Sequence, residues 1–274
     1  MVDFSILPNG NLGCPGFRTY GEAPYQMAVL HGGPGAPGEM APVARELARH
    51  RGVLEPLQTE LTLEGQLHGL RAVLEKNADL PVVLVGHSWG AMLSFILAAR
   101  SPSLVRKLIM VASAVFEERY AAGISPTRLS RLTDAERVEV SSLSALLRNP
   151  GGKDKNEAFR KLGEYIEKAD AYDSIPHDSE VIEYQYEVFE GVWPEAEEMR
   201  RSGRLLALGE KIECPVVAIH GDYDPHPAEG VREPLLRVLQ DFSFVLLEQC
   251  GHRPWVEQTA KEQFYRILRK ELTP

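Results

Sequence analysis

The sequence predicts an α/β fold, a mostly parallel central sheet flanked by helices, with a helical insertion ahead of its last strands. Three observations carry this. Short apolar runs alternate with helical patterns, as strands joined by crossover helices do. Several of those runs are apolar at every position, which suits strands covered on both faces. Third, Gly86-His87-Ser88-Trp89-Gly90 stands between the apolar run 81–85 and the apolar helical stretch 91–99, so a strand turns sharply into a helix at a serine.

In chain order, the apolar runs place strands over residues 26–30, 53–57, 82–85, 108–111, 216–220 and 244–247. The 3.6-residue periodicity places core helices over 40–50, 62–77, 91–101, 228–240 and 256–271. Between residues 114 and 208 the strand signal disappears and helix start signals take over. Thr133 with Glu136 forms a capping box, and Asp154 with Glu157 repeats the pattern. Asn149-Pro150-Gly151-Gly152 reads as a turn between two helices, and Pro194 as the start of a helix ending near Gly203. The expected organisation is a core of residues 1–113 and 209–274 with a helical cap of residues 114–208.

Composition narrows the function classes. Hydrophobic residues make up 44% and charged residues 25% of the 274, an ordinary globular balance. The net charge of −9, from 39 acidic and 30 basic residues spread along the chain, argues against nucleic acid or an anionic membrane as partner. Cys14, Cys214 and Cys250 are odd in number and lack disulfide or metal spacing, which suggests free thiols in a reducing compartment. The first sixteen residues lack the basic start and apolar stretch of a signal peptide, and no run of about 18 apolar residues occurs. A cytoplasmic location is therefore expected.

The serine turn is a nucleophile elbow. Glycines at 86 and 90 leave room for the strained bend, and Ser88 just precedes a helix N-terminus, where orphan N–H groups favour developing negative charge. A second motif, His31-Gly32-Gly33-Pro34-Gly35, directly follows the first predicted strand. Its N–H groups suit an oxyanion hole, built from Gly33 together with Trp89; Pro34 has no N–H, and Gly32 is the fallback. Third, His220-Gly221-Asp222-Tyr223-Asp224-Pro225 ends a strand and offers the carboxylate that orients a catalytic histidine. Asp224 is preferred over Asp222, which suits a loop-capping role. Cys250-Gly251-His252-Arg253-Pro254 then supplies the general base, His252. Among the other histidines, His87 must point away from Ser88 and His31 braces the glycine loop. His220 reads as a core residue, and His50, His68, His177 and His226 as surface or loop residues. Cys250 reads as a packing residue rather than a rival nucleophile.

With these motifs in the order Ser88, Asp224, His252, the chain resembles the α/β-hydrolase superfamily and, within it, the proline iminopeptidase-like branch. The resemblance covers residues near 25–115 and 205–270 and implies that the helical insertion is a lid. In the iminopeptidases lid glutamates bind a free α-amine, and Phe189-Glu190-Gly191 resembles the Trp-Glu-Gly of their lid, which makes Glu190 an amine-binding candidate. On a helix with Glu183, Glu187, Glu195, Glu197 and Glu198, the same residue also fits a solvated acidic face. The chain departs from that branch in two places. Arg51-Gly52-Val53-Leu54-Glu55-Pro56 stands where an Asp-Gln-Arg-Gly turn is usual, and the branch's second lid acid has no counterpart.

The expected activity is that of a serine hydrolase acting on a small ester, amide or short peptide, without metal or organic cofactor. Phe116, Tyr120, Tyr186, Phe189 and Trp193 are candidates to close over the substrate. Carboxylesterase, aminopeptidase and acyltransferase remain open within the fold. A non-catalytic small-molecule receptor retaining the triad is the reading from another class.

Overall fold

The computed structural model describes residues 16–272; Cys14 and the rest of the first fifteen residues lie outside that range. Seven strands form one sheet in the order β1-β3-β2-β4-β5-β6-β7: β1 (Phe17–Tyr20), β2 (Tyr25–Leu30), β3 (Gly52–Pro56), β4 (Val82–His87), β5 (Val105–Val111), β6 (Val216–Gly221) and β7 (Phe242–Leu247). All pairings are parallel except β1 with β3.

The pleat sends alternate residues to opposite faces. On one side Ala28, Leu30, Leu84, Leu108 and Ala218 pack beneath α2 (Leu63–Asn77) and α3 (Trp89–Arg100), whereas Met27, Val29, Val85, Ile109 and Ile219 pack on the other with α1 (Ala41–Leu47). Both faces are thus covered by helices, which is why these strands read as unbroken apolar runs. After β2 the chain crosses to β3 on one side and returns to β4 on the other. Such a reversal leaves the loops at the carboxyl ends of β2 and β4 facing each other, and those loops carry the glycine motif and Ser88.

Between β5 and β6 the chain forms α4 (Glu118–Ala121), α5 (Ile124–Ser130), α6 (Asp134–Arg148), α7 (Lys155–Asp170), α8 (Tyr186–Arg201) and α9 (Arg204–Ala207). The capping box of Thr133 and Glu136 opens α6 as expected. Asp154 differs from expectation: it takes a left-handed backbone at φ +56° and makes no side-chain cap. Pro194 also differs, lying inside α8 rather than starting it. The helix continues through the proline because its apolar stripe, Val188, Val192, Ala196 and Met199, is buried against the main core. A smaller cluster of Leu147, Ala158 and Tyr186 joins α6, α7 and α8 to one another. Two core helices complete the fold, α10 (Glu229–Val238) and α11 (Lys261–Glu271), and among the described residues no helix is long and apolar enough to cross a membrane.

Candidate active site

Ser88 sits at the tip of the turn from β4 into α3 with φ +50° and ψ −111°, a conformation that L-residues avoid. Its neighbours account for the turn. A Cβ on Gly86 would come 2.3 Å from the Gly90 carbonyl oxygen, and one on Gly90 would come 2.4 Å from that of Leu30, so neither position tolerates a side chain. The second clash also measures how tightly the elbow is pressed against the end of β2.

That contact brings the glycine loop beside Ser88. Gly33 is exposed with φ +45°. The Gly32 N–H donates to Glu39 Oε2 at 2.9 Å, so the fallback donor is occupied. Among the described residues the backbone N–H groups of Gly33 and Trp89 have no protein acceptor. His31 is buried beneath this loop, with Nδ1 2.7 Å from the Gly32 carbonyl oxygen and Nε2 accepting the Gln58 N–H. Burial lowers its imidazole to about 4, so the bracing ring is neutral at pH 7.

At the far end of the sheet, the loops after β6 and β7 hold the carboxylate and the imidazole. His252 Nδ1 lies 2.7 Å from Asp224 Oδ2. Asp224 is buried, and its Oδ1 accepts both the backbone N–H and the ring Nδ1–H of His226, each at 2.9 Å. Burial alone would raise this carboxyl, but the imidazoles of His252, His226 and His220 outweigh it and hold Asp224 well below the usual carboxylate range. Burial likewise opposes charge on His252, and the Asp224 carboxylate overcomes it and raises that ring. Asp222 is exposed and accepts the Cys250 N–H at 3.1 Å, which ties the two loops together away from His252. Cys250 is fully buried and its thiol is pushed up by burial, so it is inert as a nucleophile at neutral pH.

Ser88, Gly33, Trp89 and His252 all line one cavity of about 230 Å³, roofed by the insertion. Phe189 and Trp193 face into it as expected. Phe116, by contrast, packs against Phe95 in the core at 4.9 Å, and Tyr120 and Tyr186 do not reach the cavity. Glu190 also lies elsewhere, exposed and 3.8 Å from Lys155 Nζ. The glycine beside it has a packing role: a Cβ on Gly191 would come 2.2 Å from the Leu61 carbonyl oxygen.

Several residues of the site carry no sequence motif. Glu39 Oε2 holds the Gly32 N–H and sits 3.0 Å from His87 Nδ1, while His87 Nε2 meets the His252 carbonyl at 3.0 Å. From the insertion, the Asp170 carbonyl accepts the His252 N–H at 3.0 Å, and the Asp170 carboxylate is bound by both arms of Arg128. The buried Glu257 carboxylate accepts the N–H groups of Gly251, Tyr172 and Asp173. His226, read from sequence as a surface or loop residue, is buried and lines the cavity. Only its distance from Asp224, two residues along a strand-end loop, gave any signal.

Asp224, His226 and His252 also set potential metal ligands within 4.8 Å of one another. Both carboxylate oxygens are already occupied by N–H groups, however, so a cation would have to displace those protons.

Residues 27–266 match the profile of the Alpha/beta hydrolase family. The chain belongs to that family. Curated proteins give no match by sequence. Among solved structures, it is similar to VinJ (17% identity, 94% of each chain, TM-score 0.65) and to a monoacylglycerol lipase from Paleococcus ferrophilus (18% identity, 93% of this chain and 97% of that one, TM-score 0.60). It is also similar to a proline iminopeptidase from Mycobacterium smegmatis (16% identity, 99% of this chain and 96% of that one, TM-score 0.60). At these identities the likeness shows the fold; lipase and iminopeptidase stand side by side among the relatives of this α/β hydrolase.

Proposed function

We propose that this α/β hydrolase is a serine hydrolase that cleaves a small ester or amide through an acyl-enzyme on Ser88. The observation that carries the reading is the 2.7 Å pairing of His252 with Asp224 at the edge of the cavity that Ser88 also lines. Asp224, being ionised, fixes the proton of His252 on Nδ1 and leaves Nε2 as the base. His252 takes the Ser88 proton as Oγ attacks the carbonyl carbon, and the N–H groups of Gly33 and Trp89 receive the oxyanion. The same imidazole then protonates the leaving group and afterwards activates water to release the acid.

The insertion acts as a lid. Phe159, Phe189 and Trp193 give the cavity an apolar wall, and its volume falls below the roughly 300–1,000 Å³ of sites for drug-sized ligands, so the acyl group is small. The acids that reach the cavity are committed to cations or protein N–H groups: Glu167 to Arg253, Asp170 to Arg128, Glu39 to His87, and Glu257 to the N–H groups of Gly251, Tyr172 and Asp173. With Glu190 outside, a free α-amine has no unpaired carboxylate to meet. A simple ester or amide is therefore the preferred substrate over an N-terminal aminoacyl group.

A panel of short-chain 4-nitrophenyl esters beside aminoacyl 4-nitroanilides, prolyl included, tests this. The chain should turn over the acyl substrates lacking an amine, and Ser88→Ala should lower kcat on the order of 10⁶-fold. Activity confined to the aminoacyl set would overturn the substrate preference, and activity surviving in Ser88→Ala would overturn the mechanism.

A further inference from the structure

Asp224 holds two imidazoles, and the mechanism above uses only one. His226 donates its backbone N–H and its ring Nδ1–H to Asp224 Oδ1, and its ring stacks on that of His252 with centroids 4.8 Å apart at 26°. Because Nδ1 faces an ionised carboxylate it must carry a hydrogen, and in the neutral ring Nε2 then bears a lone pair. The charged groups around the ring are Asp224, which favours the cation, and His252 and Arg128, which oppose it; burial decides the balance and lowers His226 to about 4. Its Nε2 has no acceptor or donor partner among the described residues, although the residue is only 6% exposed and borders the cavity. A lone pair on the cavity wall with no protein partner is open to a donor from whatever occupies the cavity.

We infer that His226 Nε2 is a hydrogen-bond acceptor for the scissile N–H of an amide substrate, which makes the site one suited to amides and not only to esters. The inference rests on the serine-hydrolase reading and gives it a substrate class. His252 delivers the proton taken from Ser88 to the leaving group, so a ring stacked on His252 borders that side of the reacting bond. When the substrate is an amide, the C–N bond breaks as His252 Nε2 passes its proton to nitrogen, and the hydrogen already on that nitrogen needs an acceptor throughout. An ester oxygen has no such hydrogen. The second imidazole therefore favours the transition state for amides and is indifferent to that for esters.

Matched substrates with one acyl group test this: 4-nitrophenyl butyrate and N-(4-nitrophenyl)butanamide, assayed with the wild-type chain, His226→Phe and His226→Asn. Phenylalanine keeps the stacking and loses both nitrogens; asparagine can still donate to Asp224 but places no acceptor where Nε2 stood. The amide-to-ester ratio of kcat/KM should fall at least tenfold in both variants. An unchanged ratio would show that His226 does no more than hold Asp224, and would overturn the inference. So would ester cleavage by a wild-type chain that leaves the amide untouched. Circular dichroism melts of the variants check folding, and His226→Asn decides the matter should the phenylalanine variant unfold. Labelling of Ser88 by a fluorophosphonate separates the two proposals: its absence in the wild type would remove the serine reading itself, whereas labelling with an unchanged ratio removes the role of His226 alone.

Discussion

The strain at Ser88 is the site's most local feature. A non-glycine residue at φ +50° and ψ −111° costs of order 1–3 kcal/mol, and it persists because the surrounding packing enforces it. Three constraints do so here: the Ser88 N–H donates to the Val111 carbonyl at 3.0 Å, and Gly86 and Gly90 have no room for any other residue. The pairing of Asp224 with His252 has a consequence for pH. The proposed base, His252, would act only when neutral, and Asp224 raises its pKa, so kcat/KM should climb with pH through a limb above the ordinary imidazole value of 6.5. In Asp224→Asn that limb should move to lower pH while kcat falls roughly 10⁴-fold, as expected when the wrong tautomer is favoured. Asp222→Asn should leave the limb in place. Identical profiles for the wild type and Asp224→Asn would contradict the pairing.

Among the elements, the stretch between α7 and α8 joins the insertion to the base. The Glu257 carboxylate gathers the N–H groups of Gly251, Tyr172 and Asp173, and the Asp170 carbonyl takes the His252 N–H. A Cβ on Gly251 would come 2.0 Å from that carbonyl, so the base loop and the end of α7 touch backbone to backbone. Removing the charge in Glu257→Gln should cost about 1.5–3 kcal/mol, the range for a hydrogen bond to a charged group. It should also speed amide hydrogen exchange at residues 171–175 and lower kcat more than it changes KM. Exchange at the wild-type rate would show that this carboxylate does not anchor the segment. The elements themselves were legible to different degrees. Strands β2 to β6 announced themselves as apolar runs because both faces are covered, whereas β7 shows such a run although, as an edge strand, it leaves Leu246 exposed. β1, Phe-Arg-Thr-Tyr, did not, because an antiparallel edge strand of four residues has too few positions to show a period. Pro194 misled for a physical reason: proline prefers the first turn of a helix, and only tertiary burial of the stripe on α8 holds it in the interior.

At the scale of the whole molecule, the topology explains which parts of the site a sequence can disclose. Ser88, Asp224 and His252 stand on loops at the carboxyl ends of parallel strands, where glycine, turn residues and chain order mark them. Asp170 reaches the site by packing of segments far apart in sequence, and Glu39, His226 and Glu257, though each stands within a few residues of a motif, carry no pattern of their own that distinguishes them from solvated side chains. Glu190 is the converse case, a residue with a motif's neighbours that the fold turns toward solvent. The sheet reversal at β2 places the glycine loop against the elbow, and the insertion closes the cavity over both. The most direct measurement of the central claim is mass spectrometry of the chain after treatment with a fluorophosphonate, in the wild type, Ser88→Ala and His252→Ala. A single adduct on Ser88, absent in Ser88→Ala and formed far more slowly in His252→Ala, is the predicted result. An unmodified Ser88 in the folded wild-type chain, or equal labelling with and without the imidazole, would contradict it.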